Sequence, residues 1–238
     1  MRTRTVMVVG AAVLASAAAV VVDEVLTSPR VSAPGIPWML AVFLGVFTVT
    51  NAFAVWTARS LGLPSFLLLS AAPSRRCWAR FVVYGIGAGF LIYLTNKSLY
   101  LTTAASPFRP SAVYDLDTHF KVFALSARAA LSEETMFRLF AIPFLVSVGM
   151  RFHGWRPRFG FESGPAAPPP APARPPRAIL VVAVLVSALA FGFAHALNPL
   201  AATGFGVLLG VIYLRGGWES AVTAHFLGNY LLFAGIYL

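Results

Sequence analysis

Ile36–Trp56 runs for 21 residues without a charged side chain, and comparable apolar runs recur along the whole chain. An α-helix needs about 20 apolar residues to cross the hydrocarbon core of a bilayer. Thr5–Val22, Ile36–Trp56, Phe81–Leu94, a long helix from an N-cap at Asp117 to Met150, Ala178–Leu197, Pro199–Leu214 and Trp218–Leu238 read as spans. The expected fold class is all-α, a polytopic transmembrane helical bundle of about seven spans, within a range of about six to eight. Thr5–Val22 also fits a signal peptide, with Ala15-Ser16-Ala17 resembling a cleavage site, but a retained first span is the preferred reading. Leu61–Ala72 is apolar but short and holds Pro64, so it reads as interfacial.

Composition supports the same class. Hydrophobic residues make up 58% of the 238 and charged residues only 11%, against about 25% charged in a soluble domain. A soluble enzyme, a soluble binding module and a disordered chain are all excluded on this ground. The net charge of +10 would suggest nucleic acid in a soluble protein. Placement argues otherwise. With a cytoplasmic N-terminus, inside segments hold Arg2, Arg4, Arg59, Arg75, Arg76, Arg80, Arg151, Arg156, Arg158, Arg174, Arg177 and Arg215, twelve in all; outside loops hold three, Arg30, Lys97 and Arg109. That is the positive-inside bias of a membrane protein, and no nucleic-acid partner is needed to explain it.

Sixteen of the 18 basic residues are Arg, which together with abundant Ala, Gly and Pro hints at a GC-rich bacterial genome and hence a bacterial inner membrane. Cys77, the single cysteine, is expected in a loop and excludes a disulfide framework or a Cys-based zinc site. Residues 151–177 are rich in Pro and Arg and read as a flexible or polyproline-type linker. The expected organisation is N-terminal helices and loops over 1–118, then a functional helical segment over 119–238 interrupted by that linker. Gly206 and Gly210 form a GxxxG pattern that permits close helix packing.

Ionisable groups inside a span cost about 2.5–3.5 kcal/mol each and are functional candidates for that reason. Here they cluster on three helices. Glu133, Glu134 and Arg138 lie in the long helix, His195 lies four residues after Phe191, and His225 lies four before Asn229. Glu134 and Arg138 are i,i+4, so they share a face and form a pair that is charge-neutral and can be purely structural. Glu133 lies about 100° round the helix with no local partner. A lone carboxylate in an apolar medium suits general acid–base work, although a hydrogen bond to a neighbouring helix would also account for it. His225 and Asn229 share a face, and imidazole and carboxamide suit donation to a developing oxyanion. Phe191 shares a face with His195 and can wall one side of a pocket. Depth is the difficulty. His195 lies near the outer end of its span and His225 nearer the inner end of a span running the same way, an offset on the order of 15 Å. One site therefore requires stagger, tilt or different span limits. No HExxH, GxSG or GxGD occurs, which leaves the zinc, serine and aspartyl types of intramembrane protease unsupported.

Glu133-Glu134-x-x-x-Arg138, Phe191-x-x-x-His195 and His225-x-x-x-Asn229, in this order on three apolar helices, resemble the signature motifs of the CPBP family. These are the CAAX-processing prenyl endopeptidases and bacteriocin-processing proteins, also called Abi proteins. The resemblance covers about Phe120–Tyr230. It implies an intramembrane endopeptidase acting on a membrane-associated protein or peptide. Glu133 and His195 would activate water, His225 and Asn229 would hold the oxyanion, and Glu134 and Arg138 would be a supporting ion pair. No cofactor is favoured. The alternative is zinc on Glu133, His195 and His225, disfavoured because the motifs lack a paired i,i+4 ligand module and Asn is a poor zinc ligand. Two other readings compete with a protease: a non-catalytic immunity or scaffold protein that retains the fold, and a small proton-coupled transporter, weakened by the lack of an internal repeat.

Overall fold

A computed structural model of the chain describes residues 35–64, 74–102, 119–152, 154, 175–195 and 199–237. All regular structure among them is helical. The helices are α1 (Gly35–Ser60), α2 (Arg75–Phe81), α3 (Ala88–Thr102), α4 (His119–Glu134), α5 (Ile142–Phe152), α6 (Arg177–Ala194) and α7 (Pro199–Tyr237). Two π-helical stretches fuse neighbours into longer rods: Val82–Gly87 joins α2 to α3, and Thr135–Ala141 joins α4 to α5.

Among the described residues, four helical segments are long and apolar enough to cross a membrane: Arg75–Leu99, His119–Phe152, Arg177–Ala194 and Pro199–Gly235. Thr5–Val22, most of Leu61–Ala72, the Asp117 cap and the interior of the 151–177 linker fall outside the described residues. Two expectations need correction. The third span starts at Arg75 rather than Phe81, because the Ser74 hydroxyl accepts the Cys77 backbone N–H at 3.3 Å and caps the helix there. Cys77 accordingly sits in a first helical turn and not in a loop.

The two segments expected as separate last spans are two helices parted at Gly217, between the expected limits Leu214 and Trp218, where φ is 80° and ψ is 176°. In a straight helix Gly206 and His225 would lie about 28 Å apart. Instead two side chains bridge them: Arg138 reaches the Gly206 carbonyl at 3.4 Å and Glu134 at 3.0 Å, and Glu134 reaches His225 at 2.8 Å. The chain therefore folds back at Gly217. That backbone region is open essentially to glycine alone, so Gly217→Ala is expected to destabilise the protein by about 1–3 kcal/mol. Thermal unfolding in detergent checks this; an unchanged midpoint would show that the turn tolerates a Cβ.

The first half of α7 runs antiparallel to α6, with Gly206 against Ala188 and Gly210 against Val184. A Cβ on Gly206 would lie 3.0 Å from the Ala188 Cα, and one on Gly210 would lie 2.8 Å from a Val184 methyl. The GxxxG pattern is thus used for close backbone approach. The second half of α7 runs parallel to α3, with Gly89 meeting Ala224 and Leu227 and Gly228 meeting Ile92. α1 leans on the opposite side, its Phe53 ring against Phe140 and Phe144. The rod α4–α5 thereby has α1, α6 and α7 packed along it, with Leu139, Ile142, Leu209, Ile212 and Tyr213 buried in the shared core.

Candidate active site

The two adjacent glutamates part company where the helix changes register. Glu134 ends α4 and the π-helical stretch begins at the next residue. Such wide turns concentrate at functional sites because they re-aim side chains and free carbonyls from the helical ladder. The Phe137 carbonyl within it accepts the Ser187 hydroxyl from α6 at 2.5 Å, tying the two helices together. Glu134 is fully buried and Arg138 is 1% exposed, and they pair at 3.0 Å. Glu133 faces the other way, with 26% of its side chain exposed. The sequence spacing anticipated this division.

His195 lies one residue beyond the end of α6, not inside a span that continues to Leu197. Its φ of −102° and ψ of 64° leave the helix, while its N–H still donates to the Gly192 carbonyl at 3.0 Å. The imidazole folds back along the helix it has left: Nδ1 lies 2.8 Å from the Phe191 carbonyl oxygen, and the two rings meet at a tilt, 4.4 Å between centroids. This backward reach recovers about one helical turn of the offset between His195 and His225.

The side chains converge on Glu133. Its Oε2 lies 3.5 Å from His195 Nε2 and 3.8 Å from His225 Nε2. That oxygen is shielded from solvent, and no described group donates to it. The His225 ring is nearly buried and its Nδ1 meets Glu134 Oε1 at 2.8 Å. The Arg138 guanidinium lies over the Phe191 ring at 4.3 Å, and the edge of that ring faces His225 at 6.0 Å. Asn229, one turn beyond His225 on α7, is half-buried. Glu133, Glu134, Arg138, Phe191, His195 and His225 are thus brought together from three helices. Among the described residues, no group of three His, Cys, Asp or Glu side chains is arranged to hold a metal ion.

Two contacts escape a sequence reading. Glu134 serves His225 as well as Arg138, from a position 91 residues away in the chain. The Gly206 carbonyl, opened to Arg138 by the close helix approach, has no side chain to advertise it.

A chain of membrane-crossing helices is an integral membrane protein, and this one gathers carboxylates and imidazoles at one centre. Residues 116–231, which contain every residue of that centre, match the family model described as Rce1-like, Type II CAAX prenyl endopeptidase Rce1-like. Over this segment, 116 of the 238 residues, the chain is similar to the CAAX endopeptidase family, a family of proteases. No curated protein and no solved structure matches it.

Proposed function

We propose that the protein is an intramembrane endopeptidase that cuts a membrane-anchored protein near its C-terminus, using a water activated by Glu133 and His195. The observation that carries this reading is the shielded Glu133 Oε2, an acceptor without a protein donor, set between two imidazole nitrogens. An orphaned buried acceptor costs about 1–3 kcal/mol, and a substrate water is a reason to keep one.

Hydrogen-bond roles supply the mechanism. The Phe191 carbonyl only accepts, so His195 Nδ1 carries the ring proton and Nε2 is left as a base. Nε2 and the Glu133 carboxylate are then two acceptors 3.5 Å apart, and a water donating to both is oriented with a lone pair free. The water oxygen attacks the peptide carbonyl carbon and its proton passes to Glu133. Glu133 then delivers that proton to the leaving nitrogen as the C–N bond breaks, giving an amine and a carboxylic acid, whose remaining proton His195 Nε2 takes. The oxyanion accepts hydrogen bonds from the Asn229 amide and His225 Nε2. His225 already gives its Nδ1 proton to Glu134, so donation from Nε2 needs a second ring proton.

The family's printed description supports a prenylated C-terminal tail as the substrate class, and the arginine asymmetry supports a cytoplasmic N-terminus in a bacterial inner membrane. The direct test is incubation of the purified protein in lipid nanodiscs with a farnesylated C-terminal peptide and its unprenylated twin. Cleavage of the first and not the second is expected; cleavage of neither would remove the support for this substrate. Glu133, His195 and His225 are the residues that would hold zinc; under the metal-independent reading hydrolysis is expected to survive 1,10-phenanthroline at full rate. Inactivation reversed only by added zinc would overturn the metal-independent mechanism.

A further inference from the structure

The Phe191 ring packs against two groups of the site. The Arg138 guanidinium, 1% exposed, lies over it at 4.3 Å, and the His195 imidazole packs against it, tilted, at 4.4 Å between centroids. The Phe137 ring meets it edge-on at 5.3 Å and closes a third side. Its own backbone carbonyl takes the His195 Nδ1 proton at 2.8 Å. His195 sits beyond its helix with about a third of its side chain exposed, so helix geometry does not hold the ring. What holds it is Phe191, and what holds Phe191 is Arg138.

We infer that Phe191 is a positioning residue that couples the buried Glu134–Arg138 ion pair to His195, fixing which nitrogen of that imidazole faces Glu133. The inference rests on the protease reading for its kinetic consequence but not for its structural one. A cation over an aromatic face is attracted to it most strongly when both are desolvated, as they are here. The planar guanidinium matters, because lysine keeps the charge that pairs with Glu134 but not the flat surface that stacks. Phe191 and His195 therefore shift together when Arg138 changes, while His225, held separately by Glu134, does not.

The test uses the full chain in nanodiscs, with Phe191→Leu, Phe191→Tyr, Arg138→Lys and the double variant Phe191→Leu/Arg138→Lys. Phe191→Leu is expected to lower kcat by about 10- to 100-fold, since a small misplacement of a reacting group suffices for that. KM should stay within about twofold, because the group acts in the transition state and not in binding. Phe191→Tyr should recover most of the loss. Arg138→Lys should lower kcat similarly, and the double variant no further, because both act through one arm. The second measurement needs no substrate: nitrogen-15 spectra of histidine-labelled protein, with His195 assigned by its alanine variant. His195 is expected as the Nδ1-protonated form in the native protein and as a mixture of tautomers in Phe191→Leu and Arg138→Lys, with His225 unchanged. Equal losses in Phe191→Leu and Phe191→Tyr, additive losses in the double variant, or an unaltered His195 spectrum would each overturn the coupling. Where the native protein cleaves no peptide, the spectra alone decide, so the protease reading can fail separately.

Discussion

Glu133→Gln is expected to abolish measurable hydrolysis of a farnesylated peptide while the protein keeps its native melting behaviour. The expected loss in kcat is about 10²–10⁴-fold, the range for removing a positioned general base, and His195→Ala is expected to match it. Both losses follow from the shared contact at 3.5 Å between Glu133 Oε2 and His195 Nε2, where two acceptors address one water. Stability is spared because neither side chain is deeply engaged. Glu133 is 26% and His195 32% exposed, and the functional oxygen of Glu133 has no protein donor to lose. An amide in place of the carboxylate even removes a charge from an apolar setting. The measurement pairs product formation with thermal unfolding in the same detergent. Cleavage that survived both substitutions would end the water-activation mechanism, and a collapse of the melting temperature would recast Glu133 as a structural residue.

Arg138→Met gives the opposite pattern, a protein that loses stability first. The substitution leaves Glu134, fully buried, without its cation. Removing one partner of a buried pair costs about 3–5 kcal/mol, whereas replacing both with apolar groups of similar volume is often neutral or better. The double variant Glu134→Leu/Arg138→Met is therefore expected to melt near the native protein and well above Arg138→Met alone. Unfolding midpoints for the three proteins decide it. A single variant as stable as the native protein would mean that the Glu134 charge is satisfied by His225 alone through its 2.8 Å contact. The contrast between the two predictions would separate adjacent residues, chemistry at little structural cost for Glu133 and structure for Glu134.

Much of this was legible in the chain. Apolar runs broken by arginines announce membrane helices, since bilayer thickness fixes the length and hydration cost fixes the composition. The division between Glu133 and Glu134 follows from helical geometry, because four residues bring Arg138 onto one face and leave the neighbour unpaired. The i,i+4 spacing of Phe191 and His195 likewise put them on one face, where their rings meet at 4.4 Å between centroids. Less legible were the limits of the helices. The Ser74 cap moved the start of one rod forward by six residues relative to Phe81, because a single hydroxyl decides a helix end and hydropathy does not register it.

Sequence by itself determined the membrane class, the three helical motifs and the local face of each polar residue, since all of these are set by neighbours within about one helical turn. Only the tertiary structure decided how the motifs meet. The last two spans, parted at Gly217 where the sequence parted them, fold so that His225 reaches Glu134 across 91 residues. The exit of His195 from its helix lets the ring fold back and reach Glu133, which no span limit foretold. Both depend on backbone conformations of single residues and on contacts between helices distant in sequence, and no local pattern of hydrophobicity encodes either.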